Sequence, residues 1–281
     1  MRFRILGPLE VATDHDEGAT PQALKLRSLL ATLCVHADRV VSTQRLINAL
    51  WGGAPPRTAS TALQVYISKL RRHFGNLGVG SSIIATQSPG YVLRLKHHSL
   101  DLRQFDSTVL QAREAVIASL PHEAAQLLSE AIQLWNGPAL ADVRATPTLN
   151  GYARQLEERR NATYEQRLEL ELGLGRHGEL IGELYGLVHD HPMWENLHAY
   201  LMIALYRSGR IRECLRAYSN IRQALVEEIG VEPCALLRNL HHAVLSREAR
   251  LDDPSQSLLT SSPSDPVGRQ ADRAALRHAT R

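Results

Sequence analysis

Apolar residues between Arg57 and Phe74 recur with the period of an α-helix. Four of them are spaced by four, three and four positions: Leu63, Ile67, Leu70 and Phe74. On a helix this spacing places all four side chains on one stripe, which is typical of a face packed against a core. Pro55-Pro56 prevent a helix from continuing in from upstream. Thr58 or Ser60 can cap the new helix, and Gly75 is expected to end it.

The opposite face of this helix is polar and cationic, with Gln64 and Arg71 at its edges. Such a face suits the major groove of DNA, because arginine and lysine reach phosphates or guanine and glutamine pairs with adenine. Serine and threonine reach either, and Val65 can touch a thymine methyl group. The predicted DNA-contacting residues of the helix are Arg57, Thr58, Thr61, Gln64, Val65, Ser68, Lys69, Arg71 and Arg72. The alternative interpretation is an ordinary solvated helix with a charged outer surface.

The residues on either side of this helix predict further elements. Residues 1–11 alternate and predict two short strands, whereas residues 21–35 and 43–50 have helical periodicity. Ser42 is placed to cap the second of these helices. Residues 82–95 predict a hairpin. Three helices followed by a hairpin, with the third helix basic outside, make a winged helix-turn-helix.

Charge is distributed unevenly along the chain of 281 residues, whose formal net charge is +3. Residues 1–97 contain 12 basic and 5 acidic residues, whereas the remainder contains 20 basic and 24 acidic ones. Between Arg39 and Leu100 there are 8 basic residues and no acidic one. An anionic partner such as nucleic acid explains this exclusion of carboxylates directly.

Several motifs in the first 97 residues are similar to known families. The pattern Val65-x-Ile67-x-x-Leu70-Arg71-Arg72 and the closing Gly90-Tyr91 resemble the OmpR/PhoB-type DNA-binding domain. Further stretches resemble the Streptomyces antibiotic regulatory protein (SARP) family: RFRILGPLEV at 2–11, Leu50-Trp51, Pro55-Pro56, LQVYISKLRR at 63–72 and Pro89-Gly90-Tyr91. The resemblance implies DNA binding by the third helix, with Gln87 and Ser88 of the wing tip at the adjacent minor groove. Gln87 stands where many relatives carry arginine, so a minor-groove cation is missing here.

The loop between the second and third helices has a separate implied role. In the SARP family this loop contacts RNA polymerase, at its sigma or alpha subunit. The resemblance carries that role over to five residues: Trp51, Gly52, Gly53, Ala54 and Pro55. The two glycines let the chain turn sharply, and Pro55-Pro56 stiffen the end of the loop. The alternative for Trp51 is ordinary packing beneath the second helix.

The chain beyond Leu100 is helical in pattern and contains a repeat. Gly175-Arg176 recurs at Gly209-Arg210, an offset of 34 residues. This period, with a glycine between two antiparallel helices, resembles the tetratricopeptide repeat. ALYRSGR at 204–210 and EEIGVEP at 227–233 resemble the bacterial transcriptional activation domain of the SARP family. The resemblance implies dimer formation, polymerase contact or modulation of DNA binding.

Sequence signals of catalysis or of a bound cofactor are absent. There is no GxxxxGK[ST] phosphate loop, and no receiver-like segment precedes the DNA-binding part. Cys34-x-His36 and His189-x-His191 lack a second pair with ligand spacing, and the three cysteines are interpreted as reduced and buried. We therefore expect no enzyme activity, no cofactor and no metal. With no signal peptide and no long apolar run, we expect a cytoplasmic, nucleoid-associated protein without a membrane span.

The sequence thus predicts a mainly α protein, with a winged helix-turn-helix of α+β type followed by an all-α, tetratricopeptide-like domain. The predicted domains are the DNA-binding residues 1–97, the activation domain 98–250 and a disordered tail 251–281. The predicted function is activation of a secondary-metabolite gene cluster by a homodimer that binds tandem sites in double-stranded promoter DNA and recruits RNA polymerase. The alternatives are a repressor of similar build, or a protein-interaction scaffold in which the basic segment is incidental.

Overall fold

The fold was analysed in a computed structural model that describes residues 1–13, 18–78 and 80–253. The described chain is mostly helical with a few short strands, so the predicted fold class is confirmed. The chain divides into two compact units, of which the first comprises residues 1–167 and the second begins at Leu168.

The first unit begins with a three-stranded sheet. Strand β1 (Arg2–Arg4) lies in its centre, antiparallel to β2 (Glu10–Ala12) and parallel to β6 (Ser99–Leu100). Phe3 lies opposite Val11, and both side chains are buried, whereas the arginines that flank Phe3 are exposed. The alternation of the strand therefore directs one residue of β1 into the core. The sequence does not predict β6, because two residues carry no periodic signal.

Three helices form the centre of the unit: α1 (Leu24–Val35), α2 (Thr43–Trp51) and α3 (Ala59–Asn76). The hydroxyl oxygen of Ser42 accepts a hydrogen bond of 3.3 Å from the N–H of Arg45, so Ser42 caps α2 as predicted. Helix α1 packs against both α2 and α3, and α2 also packs against α3.

One end of α3 agrees with the prediction and the other does not. The helix begins at Ala59, and Thr58 occupies the predicted cap position, although its side chain makes no hydrogen bond to the helix. Gly75 lies inside the helix, which ends one residue later, and the left-handed turn follows at Gly78 with a φ of 77°. The predicted apolar stripe is confirmed, since all four of its side chains are at most 1% exposed: Leu63, Ile67, Leu70 and Phe74.

A second sheet carries the wing. Its strands are β3 (Val41–Ser42), β4 (Ile84–Gln87) and β5 (Gly90–Leu93), antiparallel in the order β3-β5-β4. A Cβ at Gly90 would lie 2.0 Å from the carbonyl oxygen of Val41, which is much closer than any side chain allows. Only glycine therefore permits β5 to pair with β3 at this point.

The core of the winged helix continues into three further helices, α4 (Asp101–Ile117), α5 (Pro121–Gln133) and α6 (Pro147–Gly173). Helices α4 and α5 pack side by side. Phe105 and Trp135 belong to the same buried cluster as the core residues of α1 to α3, and their rings meet edge to face with centroids 5.6 Å apart.

A buried carboxylate joins the N-terminal sheet to α4. Oδ2 of Asp101 accepts hydrogen bonds of 2.8 Å from the N–H groups of Ile5 and Leu6, and Oδ1 accepts one of 2.7 Å from Leu102. Burial raises the pKa of Asp101 to about 6, although these three N–H groups act in the opposite direction. These bonds link residues on the two sides of the boundary predicted after residue 97, and both sides lie in the compact unit that extends to residue 167.

The second unit contains the end of α6 and four helices: α7 (His177–Asp190), α8 (Glu195–Arg207), α9 (Ile211–Glu228) and α10 (Ala235–Ser246). Consecutive helices pack against each other from α7 to α10. Gly175 and Gly209 have φ values of 78° and 74°, and each lies in the short turn before a helix, as the 34-residue repeat predicts.

Residues 249–253 pack against the second unit. Leu251 is only 2% exposed and ends a 3-10 turn (Ala249–Leu251). The guanidinium of Arg207 donates hydrogen bonds of 2.8 Å to the carbonyl oxygens of Leu251 and Asp253, which holds the chain against the second unit. The prediction of disorder is therefore wrong for residues 251–253, and residues 254–281 lie outside the described chain. No helix in the described ranges is long and apolar enough to cross a membrane.

Candidate nucleic-acid interface

Helix α3 presents a polar, solvent-exposed face on the side opposite its buried stripe. Eight of the residues predicted to contact DNA are exposed, and we call them the outer face of α3: Arg57, Thr58, Thr61, Gln64, Val65, Ser68, Lys69 and Arg72. Val65 is 46% exposed, so an apolar group projects among the polar ones. The helix has 18 residues, which corresponds to a length of about 27 Å.

The cations of the outer face are not paired with carboxylates in the described part of the chain. No salt bridge found there involves Arg57, Lys69 or Arg72. The acid-free stretch between Arg39 and Leu100 explains this, because it supplies no carboxylate to the helix or the wing. The positive charge of the face is therefore available to an anionic partner.

The carboxylates that flank the acid-free stretch are engaged elsewhere. Asp38 accepts a hydrogen bond of 2.9 Å from the N–H of Leu95 and forms an ion pair with Arg103. Burial acts to raise the pKa of Asp38, but Leu95 and Arg103 together hold it below its usual value. Asp101 is occupied by backbone N–H groups. Neither carboxylate is free to neutralise the outer face of α3.

Arg71 differs from its neighbours on α3, because the wing engages its side chain. Nε donates a hydrogen bond of 2.8 Å to the carbonyl oxygen of Ile84, and Nη2 donates one of 2.8 Å to the hydroxyl of Thr86. The guanidinium carbon also lies 5.9 Å from the centre of the Tyr91 ring. Arg71 is half-buried and fixes the position of the wing relative to α3.

The wing turn places Gln87 and Ser88 in solvent. The carbonyl oxygen of Pro89 accepts hydrogen bonds of 3.2 Å from both the backbone N–H and the hydroxyl of Thr43, at the start of α2. The turn is thereby held at α2, while Arg71 holds β4 at α3. The wing tip and the outer face of α3 belong to one braced structure.

Sequence reasoning missed two residues of this bracing, Thr43 and Thr86. Thr86 lies directly opposite Tyr91 in the hairpin, so the alternation of β4 and β5 could have paired them. Thr43 carries no such signal, because its partner is a backbone carbonyl 46 residues away.

The loop after α2 divides into a packed part and an exposed part. The Trp51 ring stacks on Tyr66 of α3 with centroids 6.1 Å apart, and Nζ of Lys25 lies 5.4 Å from the Trp51 ring centre. Gly52 ends α2 with a φ of 64° and donates its N–H to Asn48. The rest of the predicted polymerase-contacting loop is exposed: Gly53, Ala54 and Pro55. Packing therefore accounts for the position of Trp51, while the three residues after Gly52 form the free surface of the loop.

The described residues contain no metal-binding cluster, and two of their cysteines are buried. No group of three or more His, Cys, Asp or Glu side chains there is placed to hold a metal ion. Cys34 and Cys214 are fully buried, and burial raises the pKa of Cys214 to about 12. Buried thiols of this kind do not supply thiolate nucleophiles.

The sequences of several known proteins align with nearly all of this chain. The regulatory protein DnrI of Streptomyces peucetius is 37% identical over 258 residues, which cover 90% of this chain and 94% of DnrI. The transcriptional regulator RedD of Streptomyces coelicolor is 33% identical over 258 residues, covering 91% of this chain and 73% of RedD. The structure of Mycobacterium tuberculosis EmbR in complex with a low-affinity phosphopeptide superimposes with a TM-score of 0.79 at 31% identity. That match covers 88% of this chain but 65% of EmbR, so the chain spans about two thirds of that structure.

Two family models match successive parts of the chain. The model "Transcriptional regulatory protein, C terminal" matches residues 21–93, and the model "Bacterial transcriptional activator domain" matches residues 100–245. The winged helix, the exposed basic face of α3 and the helical region that follows define a transcriptional regulator. The chain belongs to the SARP family of transcriptional activators, whose members are regulators and not enzymes.

Proposed function

We propose that this protein activates transcription of a secondary-metabolite gene cluster by binding tandem sites in promoter DNA and recruiting RNA polymerase. The observation that carries the DNA-binding step is the outer face of α3, whose three cations have no acidic partner among the described residues. The membership of the SARP family supports activation rather than repression.

The chemistry of the outer face fits the major groove, which is about 12 Å wide and admits an α-helix. Lys69 and Arg72 reach phosphates or guanine, and Gln64 offers the amide that pairs with adenine. The exposed methyl groups of Val65 offer an apolar contact to thymine. A face of this composition both positions the protein on the backbone and reads bases.

In this proposal the wing helps to position the protein on DNA but adds little electrostatic attraction. Its tip carries Gln87 and Ser88, which are hydrogen-bonding residues without charge. A narrow minor groove attracts arginine and lysine through its negative potential, and the tip has neither. We therefore assign most of the electrostatic affinity to α3, with the wing held beside it by Arg71.

The proposed polymerase contact lies on the exposed half of the loop before α3. Gly53, Ala54 and Pro55 are exposed between two helices of the winged domain. We assign Trp51 a supporting role, since its ring is stacked on Tyr66. The contact with the sigma or alpha subunit rests on the family resemblance, as does the formation of a homodimer through the activation domain.

Selection of bound genomic fragments, followed by footprinting and run-off transcription with purified RNA polymerase, tests this function. An activator protects two adjacent half-sites and increases the transcript from the selected promoter. A repressor of similar build protects the DNA but lowers the transcript. A scaffold selects no DNA sequence, and that result would contradict the proposal.

A further inference from the structure

Side chains from two other parts of the first unit hold the C-terminal end of α2. The last carbonyl groups of a helix have no partner within it, and at the end of α2 they include those of Ala49 and Leu50. The hydroxyl of Thr146 donates a hydrogen bond of 2.9 Å to the carbonyl oxygen of Ala49. The ammonium group of Lys25 in α1 donates one to the carbonyl oxygen of Leu50. These bonds hold the last turn of α2, from which the α2–α3 loop (residues 52–58) begins.

Thr146 joins two helix ends through one hydroxyl group. It lies directly before Pro147, the first residue of α6, and its carbonyl oxygen accepts a hydrogen bond of 2.9 Å from the N–H of Asn150. Its hydroxyl oxygen accepts one of 3.3 Å from the N–H of Leu149, so Thr146 is the N-cap of α6. The same hydroxyl donates its proton to α2. A hydroxyl has a single proton to donate, so this group links the start of α6 to the end of α2.

The first residue of the α2–α3 loop lies beside the same segment. Gly52 has a φ of 64° and a ψ of −134°, a backbone conformation that is strained for residues other than glycine. A Cβ built on Gly52 would lie 3.4 Å from Cδ of Pro147. The carbonyl oxygen of Asn48 accepts hydrogen bonds of 2.8 Å from the N–H of Gly52 and of 3.5 Å from the hydroxyl of Thr148. The direction in which the chain leaves α2 is therefore set next to the start of α6.

The exposed part of the loop depends on its two ends for its position. Within the described ranges, no hydrogen bond holds Gly53, Ala54 or Pro55. One end of the loop continues into α3, and the other is the last turn of α2. The bond from Thr146 to that turn therefore constrains the residues that we propose to meet RNA polymerase.

We propose that Thr146 is a positioning residue for the polymerase contact, because its hydroxyl holds the end of α2 from which the exposed loop starts. Thr146 lies within residues 100–245, which match the activator domain, whereas α2 and its loop lie within residues 21–93, which match the other family model. This inference rests on the proposed contact between the loop and RNA polymerase. It gives the activation domain a part in activation that does not depend on dimer formation or on the outer face of α3.

Three substitutions of Thr146 separate its bond to α2 from its cap of α6. Thr146→Ser keeps the hydroxyl and both bonds, whereas Thr146→Val removes both. Thr146→Asp keeps an oxygen that accepts from Leu149, but an ionised carboxylate has no proton to donate to Ala49. Thr163→Val is the matched control, since the Thr163 hydroxyl donates to the carbonyl oxygen of Arg159 within α6.

Run-off transcription with purified RNA polymerase and the footprinted promoter measures activation by the full chain at saturating protein. We expect Thr146→Val and Thr146→Asp to activate at least about 5-fold less than the parent protein, as for the loss of one hydrogen bond that holds the active position. Thr146→Ser and Thr163→Val should activate like the parent. Fluorescence anisotropy should give DNA affinities within about 3-fold of the parent for all four variants, because none of them alters the outer face of α3.

Hydrogen exchange of the Gly52 amide reports the position of the loop without polymerase. Because this amide closes the last turn of α2, its exchange should be at least about 5-fold faster in Thr146→Val and Thr146→Asp and unchanged in Thr146→Ser. The inference is overturned if Thr146→Asp activates like the parent, or if Gly52 exchanges equally fast in Thr146→Val and Thr163→Val. A parent protein that does not increase the transcript would instead refute the proposed function, and the exchange of Gly52 would still decide whether Thr146 positions the loop.

Discussion

Arg71 and Arg72 are neighbours in the sequence but have different surroundings. Arg71 is hydrogen-bonded to Ile84 and Thr86 of the wing, whereas Arg72 is exposed on the outer face of α3. The sequence places both on the polar side of the helix, because helical periodicity shows the direction in which each side chain leaves the helix. It does not show whether another strand packs against that side chain. Helix periodicity therefore predicts which residues leave the core, and tertiary packing decides which of them are available to DNA.

The two arginines should consequently respond differently to alanine. We expect Arg71→Ala to lower the free energy of unfolding of the first unit by about 1–3 kcal/mol, because it leaves two wing acceptors without their donors. Arg72→Ala should change it by less than about 0.5 kcal/mol. Urea unfolding followed by circular dichroism measures both, and equal effects would contradict the assignment of Arg71 as a brace.

Trp51 is a second residue whose role the structure defines more narrowly than the sequence. Because its ring stacks on Tyr66, we expect Trp51→Ala to destabilise the protein by about 2–3 kcal/mol. Tyr66→Ala is the matched control, since it removes the other ring of the same stack. Urea unfolding compared with run-off transcription distinguishes a packing role of Trp51 from a contact with RNA polymerase. A stable Trp51→Ala protein that fails to activate would instead make Trp51 a polymerase contact.

The elements of the winged helix were largely predictable, because each has a strong local signal. The stripe of α3, the cap of α2 at Ser42 and the hairpin of β4 and β5 all follow from spacing and turn residues. The short strands β3 and β6 and the first unit's extension to residue 167 were not predictable. They depend on hydrogen bonds between segments that are far apart in the sequence, such as those that the Asp101 carboxylate accepts from Ile5 and Leu6. Such bonds produce no periodic pattern of apolar residues.

Substitution of Asp101 tests whether its hydrogen bonds join the N-terminal sheet to α4. Asp101→Ala leaves three N–H groups without an acceptor, two of them in the segment that follows β1. We expect a loss of about 3–5 kcal/mol in the free energy of unfolding, because each buried N–H group left without an acceptor costs about 1–3 kcal/mol. Asp101→Asn should lose less, because its one carbonyl oxygen still accepts from Ile5 and Leu6. Hydrogen exchange of these two amides checks the prediction, and unchanged protection in the alanine variant would contradict it.

At the scale of the whole molecule, the proposed homodimer places two copies of α3 on one face of the DNA. Half-sites should then be separated by about one helical turn, roughly 10–10.5 base pairs from centre to centre. Inserting five base pairs between them rotates one half-site to the opposite face, so cooperative binding of the full chain should be lost. Inserting ten should restore much of it. Binding curves that are insensitive to the five-base-pair insertion would rule out the paired-site arrangement.

The central claim is that the outer face of α3 binds DNA, and the salt dependence of affinity tests it most directly. The variant Lys69→Ala/Arg72→Ala removes two cations of that face. The control Arg113→Ala/Arg154→Ala removes two exposed cations from α4 and α6, so both proteins have the same net charge. Fluorescence anisotropy with the footprinted promoter fragment, repeated over a range of salt concentrations, gives the affinity and the slope of its logarithm against that of the salt concentration.

We expect the α3 variant to bind at least about 10-fold more weakly than the parent protein, with a salt slope smaller by about 2 if both side chains contact phosphates. If one side chain pairs with guanine instead, the loss should be about 1–3 kcal/mol and confined to one base pair. The control should retain the parent's slope and an affinity within about 3-fold. Equal affinities and equal slopes for the two double variants would contradict the claim that this face of α3 is the DNA-binding surface.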